Sequence, residues 1–255
     1  MSRTFLLILA AAATLAAAEF PFAGNWKMNP AKSDFGQTTV TFTEAGPGQM
    51  EFTMDGQSYK FKMDGKDYPG LMGQTAAWKQ VDANTWEMVN KLNGKVLSND
   101  TDKVSADGKT LTYTSKLIKP DGGTSEESVT FQRVSGGPGL AGKWKAKNYK
   151  SSSPDLMELS AAGDNGMKMT IADMQLTCEP KFDGKDYPCT GPTIAQGWTM
   201  SAKKSGARSI DFTDKMNGKP LYQGTMTVSA DGKTITETGS AVGVNEKFKA
   251  VYDKQ

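Results

Sequence analysis

Val104-Ser-Ala-Asp-Gly-Lys-Thr-Leu-Thr-Tyr-Thr-Ser-Lys-Leu117 is a turn followed by a strand. Asp107-Gly108 is among the strongest short hairpin signals, because glycine and a short polar residue tolerate left-handed backbone. Beyond it Leu111, Tyr113, Ser115 and Leu117 fall on one face of an extended chain, a period of two. The first seven residues return unchanged as Val228-Ser-Ala-Asp-Gly-Lys-Thr234, at an offset of 124.

Working outward, the rest of the chain repeats in the same order. Phe22-Ala-Gly-Asn-Trp26-Lys returns as Leu140-Ala-Gly-Lys-Trp144-Lys, and Asp64-Gly-Lys-Asp-Tyr-Pro69 as Asp183-Gly-Lys-Asp-Tyr-Pro188. Trp78 aligns with Trp198, and Lys91-Leu-Asn-Gly-Lys95 with Lys215-Met-Asn-Gly-Lys219. The offset grows from 118 to 124 along the chain, as in a duplicated unit that has gathered small loop insertions. The expected organisation is a signal peptide over residues 1–18, one repeat over 19–135, a Gly/Pro linker over 136–139 and a second repeat over 140–255.

Both repeats keep the two-residue period. Met50, Phe52 and Met54 share a face, as do Tyr59, Phe61 and Met63, and in the second copy Met167, Met169 and Ile171. Turn pairs such as Asp55-Gly56, Asn93-Gly94 and Asn217-Gly218 recur every ten or so residues, leaving no room for crossover helices. The expected fold is all-β: two tandem antiparallel up-and-down barrels of eight to nine strands each, since closure removes exposed sheet edges. Two open β-sandwiches are the alternative.

Arg3 is the only charge before Glu19, and an apolar run from Phe5 to Leu15 leads into Ala16-Ala17-Ala18. That order is a secretory signal, too short to span a bilayer, and no later segment is apolar enough to cross. The protein is expected outside the cytoplasm, periplasmic or extracellular. Two cysteines, Cys178 and Cys189, flank Asp183-Gly184. A two-residue turn there would set Phe182 opposite Lys185 and Cys178 opposite Cys189, within disulfide reach.

Composition excludes several chemistries. The 255 residues include 30 Lys+Arg, 28 Asp+Glu and no His, a net charge of +2. Without histidine there is no Ser-His-Asp triad and no histidine metal site. The charge gives no footprint for nucleic acid. Met167-x-Met169 could offer soft sulfur to Cu(I), but ordinary packing explains it. No metal, cofactor or catalytic residue is expected, and no constellation of carboxylates asks for hydrolysis.

Gly24-Asn-Trp26 and Gly142-Lys-Trp144 resemble the Gly-x-Trp opening of lipocalins and their calycin relatives. With the Asp-Gly-Lys-Asp-Tyr-Pro and Ser-x-Asp-Gly-Lys-Thr turns, both repeats resemble secreted lipocalin-like bacterial proteins of unassigned function. The resemblance implies a Trp packed across the closed barrel end against a cation of the last strand. Trp26 would then meet Arg133 in repeat one, and Trp144 would meet Lys254 in repeat two. It also implies a small apolar or amphipathic ligand in the barrel, with Trp78, Trp86 and Trp198 as lining and Tyr68 and Tyr187 as polar contacts at a mouth. The alternative is an interaction or structural protein whose two barrels bind a protein or polysaccharide. Neither the ligand nor the oligomeric state is written in the sequence.

Overall fold

The computed structural model describes residues 20–35, 38–152 and 156–255. The signal segment lies outside the described residues. The first repeat forms β1 (Gly24–Met28), β2 (Thr39–Gly46), β3 (Gln49–Met54), β4 (Gln57–Lys62), β5 (Tyr68–Pro69), β6 (Thr75–Asp82), β7 (Thr85–Leu92), β8 (Lys95–Val104), β9 (Thr110–Ile118) and β10 (Thr124–Ser135). The second forms β11 (Gly142–Ser151), β12 (Leu156–Ala161), β13 (Met167–Ile171), β14 (Leu176–Cys178), β15 (Asp186–Thr190), β16 (Trp198–Gly206), β17 (Ser209–Met216), β18 (Lys219–Val228), β19 (Thr234–Ala241) and β20 (Lys247–Lys254).

These strands build two antiparallel barrels of ten strands, one closed and one nearly closed between β4 and β5. Ten exceeds the eight to nine expected from periodicity. Strands such as β5 explain the difference: two residues paired to Ala76 and Thr75 carry no alternation to read. The local turn chemistry forms as the sequence predicts. Asp55-Gly56, Asn93-Gly94 and Asn217-Gly218 each hold two consecutive residues at positive φ, as type I′ hairpins require.

The barrels do not coincide with the repeats. Each takes its first strand from the other copy. β11 lies between β10 and β2 in the first barrel, with Trp144 opposite Arg133 and Val40. β1 lies between β20 and β12 in the second, with Trp26 opposite Lys254 and Met157. The cause is the short Gly/Pro connection after β10. It lets β11 fold straight back as the next antiparallel neighbour, where Ser135 faces Lys143, and so to occupy the slot that β1 would otherwise fill. The chain therefore crosses between barrels after β1 and after β11. The first crossing is tied down by Asn29 Nδ2 donating to Asp253 (2.6 Å) and by Lys32 on the same carboxylate (2.8 Å). Tyr222 Oη, donating to Asp55 Oδ2 at 3.1 Å, is a further tie between the barrels.

The exchange corrects the expected Trp–cation pairs. The guanidinium of Arg133 lies 3.9 Å above the ring of Trp144, not Trp26. Lys254 Nζ lies 5.2 Å from the ring of Trp26. Each Trp is fully buried and donates its indole N–H four residues back, to Phe22 O (2.8 Å) and Leu140 O (2.9 Å). The glycine of Gly-x-Trp has a steric reason. At Gly142 (φ +144°) a Cβ would stand 2.4 Å from Ser135 O and 2.9 Å from Arg133 Nη1. At Gly24 it would stand 2.8 Å from Lys254 Cε. Arg133 also donates to the carbonyls of Ala141 (2.8 Å), Gly139 (2.6 Å) and Gly108, so one side chain clamps the connection that forces the exchange.

Cys178 and Cys189 form a disulfide across β14 and β15, with Cα atoms 4.3 Å apart. The register is the expected one, but the two-residue turn is not formed. Only Gly184 has positive φ, and the segment between the cysteines bonds elsewhere. Phe182 N donates to Asn165 O and Gly184 N to Ala202 O, so the loop is stitched to the neighbouring strands. A disulfide fits an oxidising compartment.

Candidate functional site

The two barrels share a fold but not an interior. The second is filled. Met157, Leu159, Met167, Met169, Met200, Ile210, Phe212, Met226 and Ile235 pack into one core, so the Met167–Met169 pair is core packing. Phe212 and Phe248 close over the backbones of Gly224 and Gly239, where a Cβ would come within 2.9 Å of either ring. A hollow of about 340 Å³ remains beside Glu237, Phe248 and Tyr252, and shares Phe35 and Tyr149 with the first barrel's cavity.

The first barrel is hollow. Its cavity of about 530 Å³ is within the range of small-molecule sites. Phe42, Phe52, Trp78, Met88 and Leu111 supply apolar wall. Trp78 stacks on Phe61 (centroids 4.7 Å) and meets Phe42 edge-on (5.8 Å), and its indole N–H donates to Tyr59 Oη at 3.0 Å.

The polar part of the wall comes from β8, whose inward face reads Ser98, Asp100, Asp102, Val104, all buried. Asp100 is surrounded by donors: Ser115 Oγ at 2.6 Å, Asn90 Nδ2 at 2.7 Å and Tyr113 Oη at 3.1 Å. Burial pushes its carboxyl up, and these donors partly hold it down. Asp102, two residues on, is 5 % exposed, lines the cavity and accepts no hydrogen bond from any described residue. Burial, and then the neighbouring Asp100, push its carboxyl up to about 8. Burial likewise raises the phenols of Tyr59 and Tyr113.

Neither aspartate was singled out in the sequence, where Asp residues read as outward or turn positions. The available signal was phase. Counting back in twos from the apolar Val104 places Asp102, Asp100 and Ser98 on the inward face. The corresponding inward positions of β18 are Tyr222, Gly224, Met226 and Val228. Met226 thus takes the place of Asp102, and its partner across the strands is Glu237, whose carboxyl burial pushes up to about 7.

Of the residues expected to line a ligand site, Trp78 lines the cavity. Trp86 is buried in the same barrel's core, its indole N–H without a partner among the described residues, and is not among the lining residues. Trp198 lies in the second barrel, half-buried, donating to Asp214. It is not the structural counterpart of Trp78. Tyr68 faces Ala76 as Tyr187 faces Met200, so Ala202 stands where Trp78 stands, and the small side chain leaves room for the filling rings. Tyr68 and Tyr187 serve their own turns. Each donates to the first Asp of its motif, Tyr68 to Asp64 at 3.1 Å and Tyr187 to Asp183 at 3.0 Å. The same carboxylates accept the backbone N–H of Lys66 and Lys185, the main cause of their lowered pKa. Lys91 and Lys215 pair with Asp67 and Asp186 at 2.9 and 2.7 Å, completing two copies of one turn.

The fold and site together define a double β-barrel whose first member holds the larger cavity and whose second is more densely packed. No protein-family model matches the chain, and no curated protein matches it. Among the described residues no helix is long and apolar enough to cross a membrane.

Proposed function

We propose that this chain is an exported binding protein, of the lipocalin-like type its Gly-x-Trp motifs resemble, that holds a small apolar or amphipathic molecule in the first barrel. The observation that carries the reading is the 530 Å³ cavity with its aromatic and thioether wall, lined also by the buried carboxyl of Asp102. A solid core would leave no such space. The asymmetry supports it further. The second barrel has Met226 where the first has Asp102 and Phe212 where it has Met88, and it packs both into its core, so the first repeat departs from it. Binding is assigned to the first barrel alone, and the second serves as the platform whose β1 keeps the pair together. The role is carriage rather than catalysis.

The test is uptake of the neutral dye N-phenyl-1-naphthylamine by the purified mature protein, read as dye emission. Saturable uptake at one site is expected, abolished in Val129→Trp, which places an indole in the cavity. Absence of uptake by the unmodified protein, or uptake unchanged in Val129→Trp, refutes the assignment. Native mass spectrometry of gently purified protein would weigh a resident ligand directly.

A further inference from the structure

Resting on that reading, we infer that the ligand is a lipophilic amine whose ammonium group sits against Asp102, with its apolar body along the aromatic wall. The argument is a count of donors and acceptors. The polar side chains grouped with Asp102 have spent their hydrogens inside the protein. Tyr59 Oη donates to Met88 Sδ (3.6 Å), and Tyr113 Oη donates to Asp100. Asn90 Nδ2 donates both ways, to Ser98 (3.1 Å) and to Asp100 (2.7 Å). What they leave toward a ligand are oxygen lone pairs and ring faces. In the ligand-free barrel Asp102 keeps its proton near neutral pH; beside an ammonium group it ionises, releasing that proton to water, and then offers two acceptor atoms that receive no donor from the described residues. The group of acceptors around Asp102 is complementary to a donor, and an ammonium group is donor only.

Charge points the same way. Among the residues lining the cavity the ionisable acids are Asp34 and Asp102, and the one cation, Lys147, is exposed. No buried cation in the wall balances Asp102. Electron-rich rings of Trp78, Tyr59, Phe42 and Phe52 stand in the same wall, and such faces attract cations. An anionic headgroup beside Asp102 would meet that buried carboxyl and its neighbour Asp100, and no buried cation in the wall. Asp100 does not compete for the amine, because its own oxygens are already occupied by Ser115, Asn90 and Tyr113. The two acids thus have separate roles: Asp100 organises the polar floor, and Asp102 faces the cavity.

The experiment is calorimetric titration of the full mature chain with dodecylamine, dodecanol and dodecanoate, each below its aggregation concentration. The three share one apolar tail and differ only in the headgroup. The amine should bind about ten- to a hundredfold more tightly than the alcohol, the range of a hydrogen bond to a charged group, and the carboxylate most weakly. Asp102→Asn should bring the amine to the affinity of the alcohol and leave the alcohol unchanged. The comparison of the three ligands on unmodified protein stands even where the variant is poorly folded. Equal affinity for amine and alcohol, preference for the carboxylate, or an Asp102→Asn variant that keeps the amine preference overturns the amine assignment while the carrier reading stands. Binding of none of the three, together with failure of dye uptake, overturns both.

Discussion

Replacing Asp102 by Asn in the ligand-free protein should make it more stable, and increasingly so as pH rises. In the unfolded chain this carboxyl loses its proton near 3.8, and in the folded barrel only near 8. Between those values the folded state holds a proton that the unfolded state has released, so rising pH favours unfolding. One pK unit is worth about 1.4 kcal/mol, and about three units separate 3.8 from neutral pH, so full burial would cost about 4 kcal/mol at pH 7. Water entering a 530 Å³ cavity screens the charge, and about half of that, ~2 kcal/mol, is the working figure. Asparagine has nearly the shape of the protonated acid and does not titrate. The stability difference between the variant and the parent should therefore be near zero at pH 3 and grow to about 2 kcal/mol by pH 7. Urea unfolding followed by tryptophan emission at each pH reads it. The difference isolates Asp102 from Asp214 and Glu237, which burial also pushes up to about 7 and which titrate in both proteins. A difference that stays flat with pH, or a variant that loses stability relative to the parent as pH rises, would refute the buried, unpartnered carboxyl.

Three further outcomes follow from the geometry. Arg133→Ala removes the guanidinium over Trp144 and three bonds to carbonyls, and should cost about 3 kcal/mol in urea unfolding, where no loss would show the clamp to be idle. Gly142→Ala should cost about 2–3 kcal/mol, because its Cβ meets the backbone oxygen of Ser135 at positive φ, whereas Gly24→Ala meets the movable end of Lys254 and should cost ~1 kcal/mol less. Equal costs would argue against the asymmetry between the two openings. Reducing the disulfide frees a loop of sequence separation 11, worth about 3 kcal/mol by loop entropy, and should lower the melting temperature without abolishing dye uptake, because the bond lies in the filled barrel. Loss of uptake on reduction would tie the hollow barrel to the integrity of the other.

Much of this molecule was legible in its sequence because the relevant physics is local. Asp55-Gly56, Asn93-Gly94 and Asn217-Gly218 form type I′ turns because those residues accept left-handed backbone, whatever surrounds them. The two-residue period marks strands because side chains alternate across any sheet. Cys178 and Cys189 could be placed opposite each other by counting from a turn centre, although the turn itself takes another form. The inward phase of β8 was also written there, but two aspartates on a core face run against the usual burial of such residues, and only the assembled first barrel shows them inside.

What the sequence by itself could not decide is which strand closes which barrel. Phe22-Ala-Gly-Asn-Trp26-Lys and Leu140-Ala-Gly-Lys-Trp144-Lys are near copies, so either would fit either slot, with the same indole bond back to its own fourth-preceding carbonyl and a cation overhead, Lys254 or Arg133. Local propensity cannot separate two equivalent placements. The decision falls to connectivity: the short run after Ser135 pairs β11 with β10 at once, and β1 is left with the one vacancy, in the other barrel. The hollow in the first barrel is decided in the same non-local way. It depends on Asp102 standing where the second repeat has Met226, and on Trp78 where it has Ala202 — differences whose consequence exists only once ten strands close around a common interior.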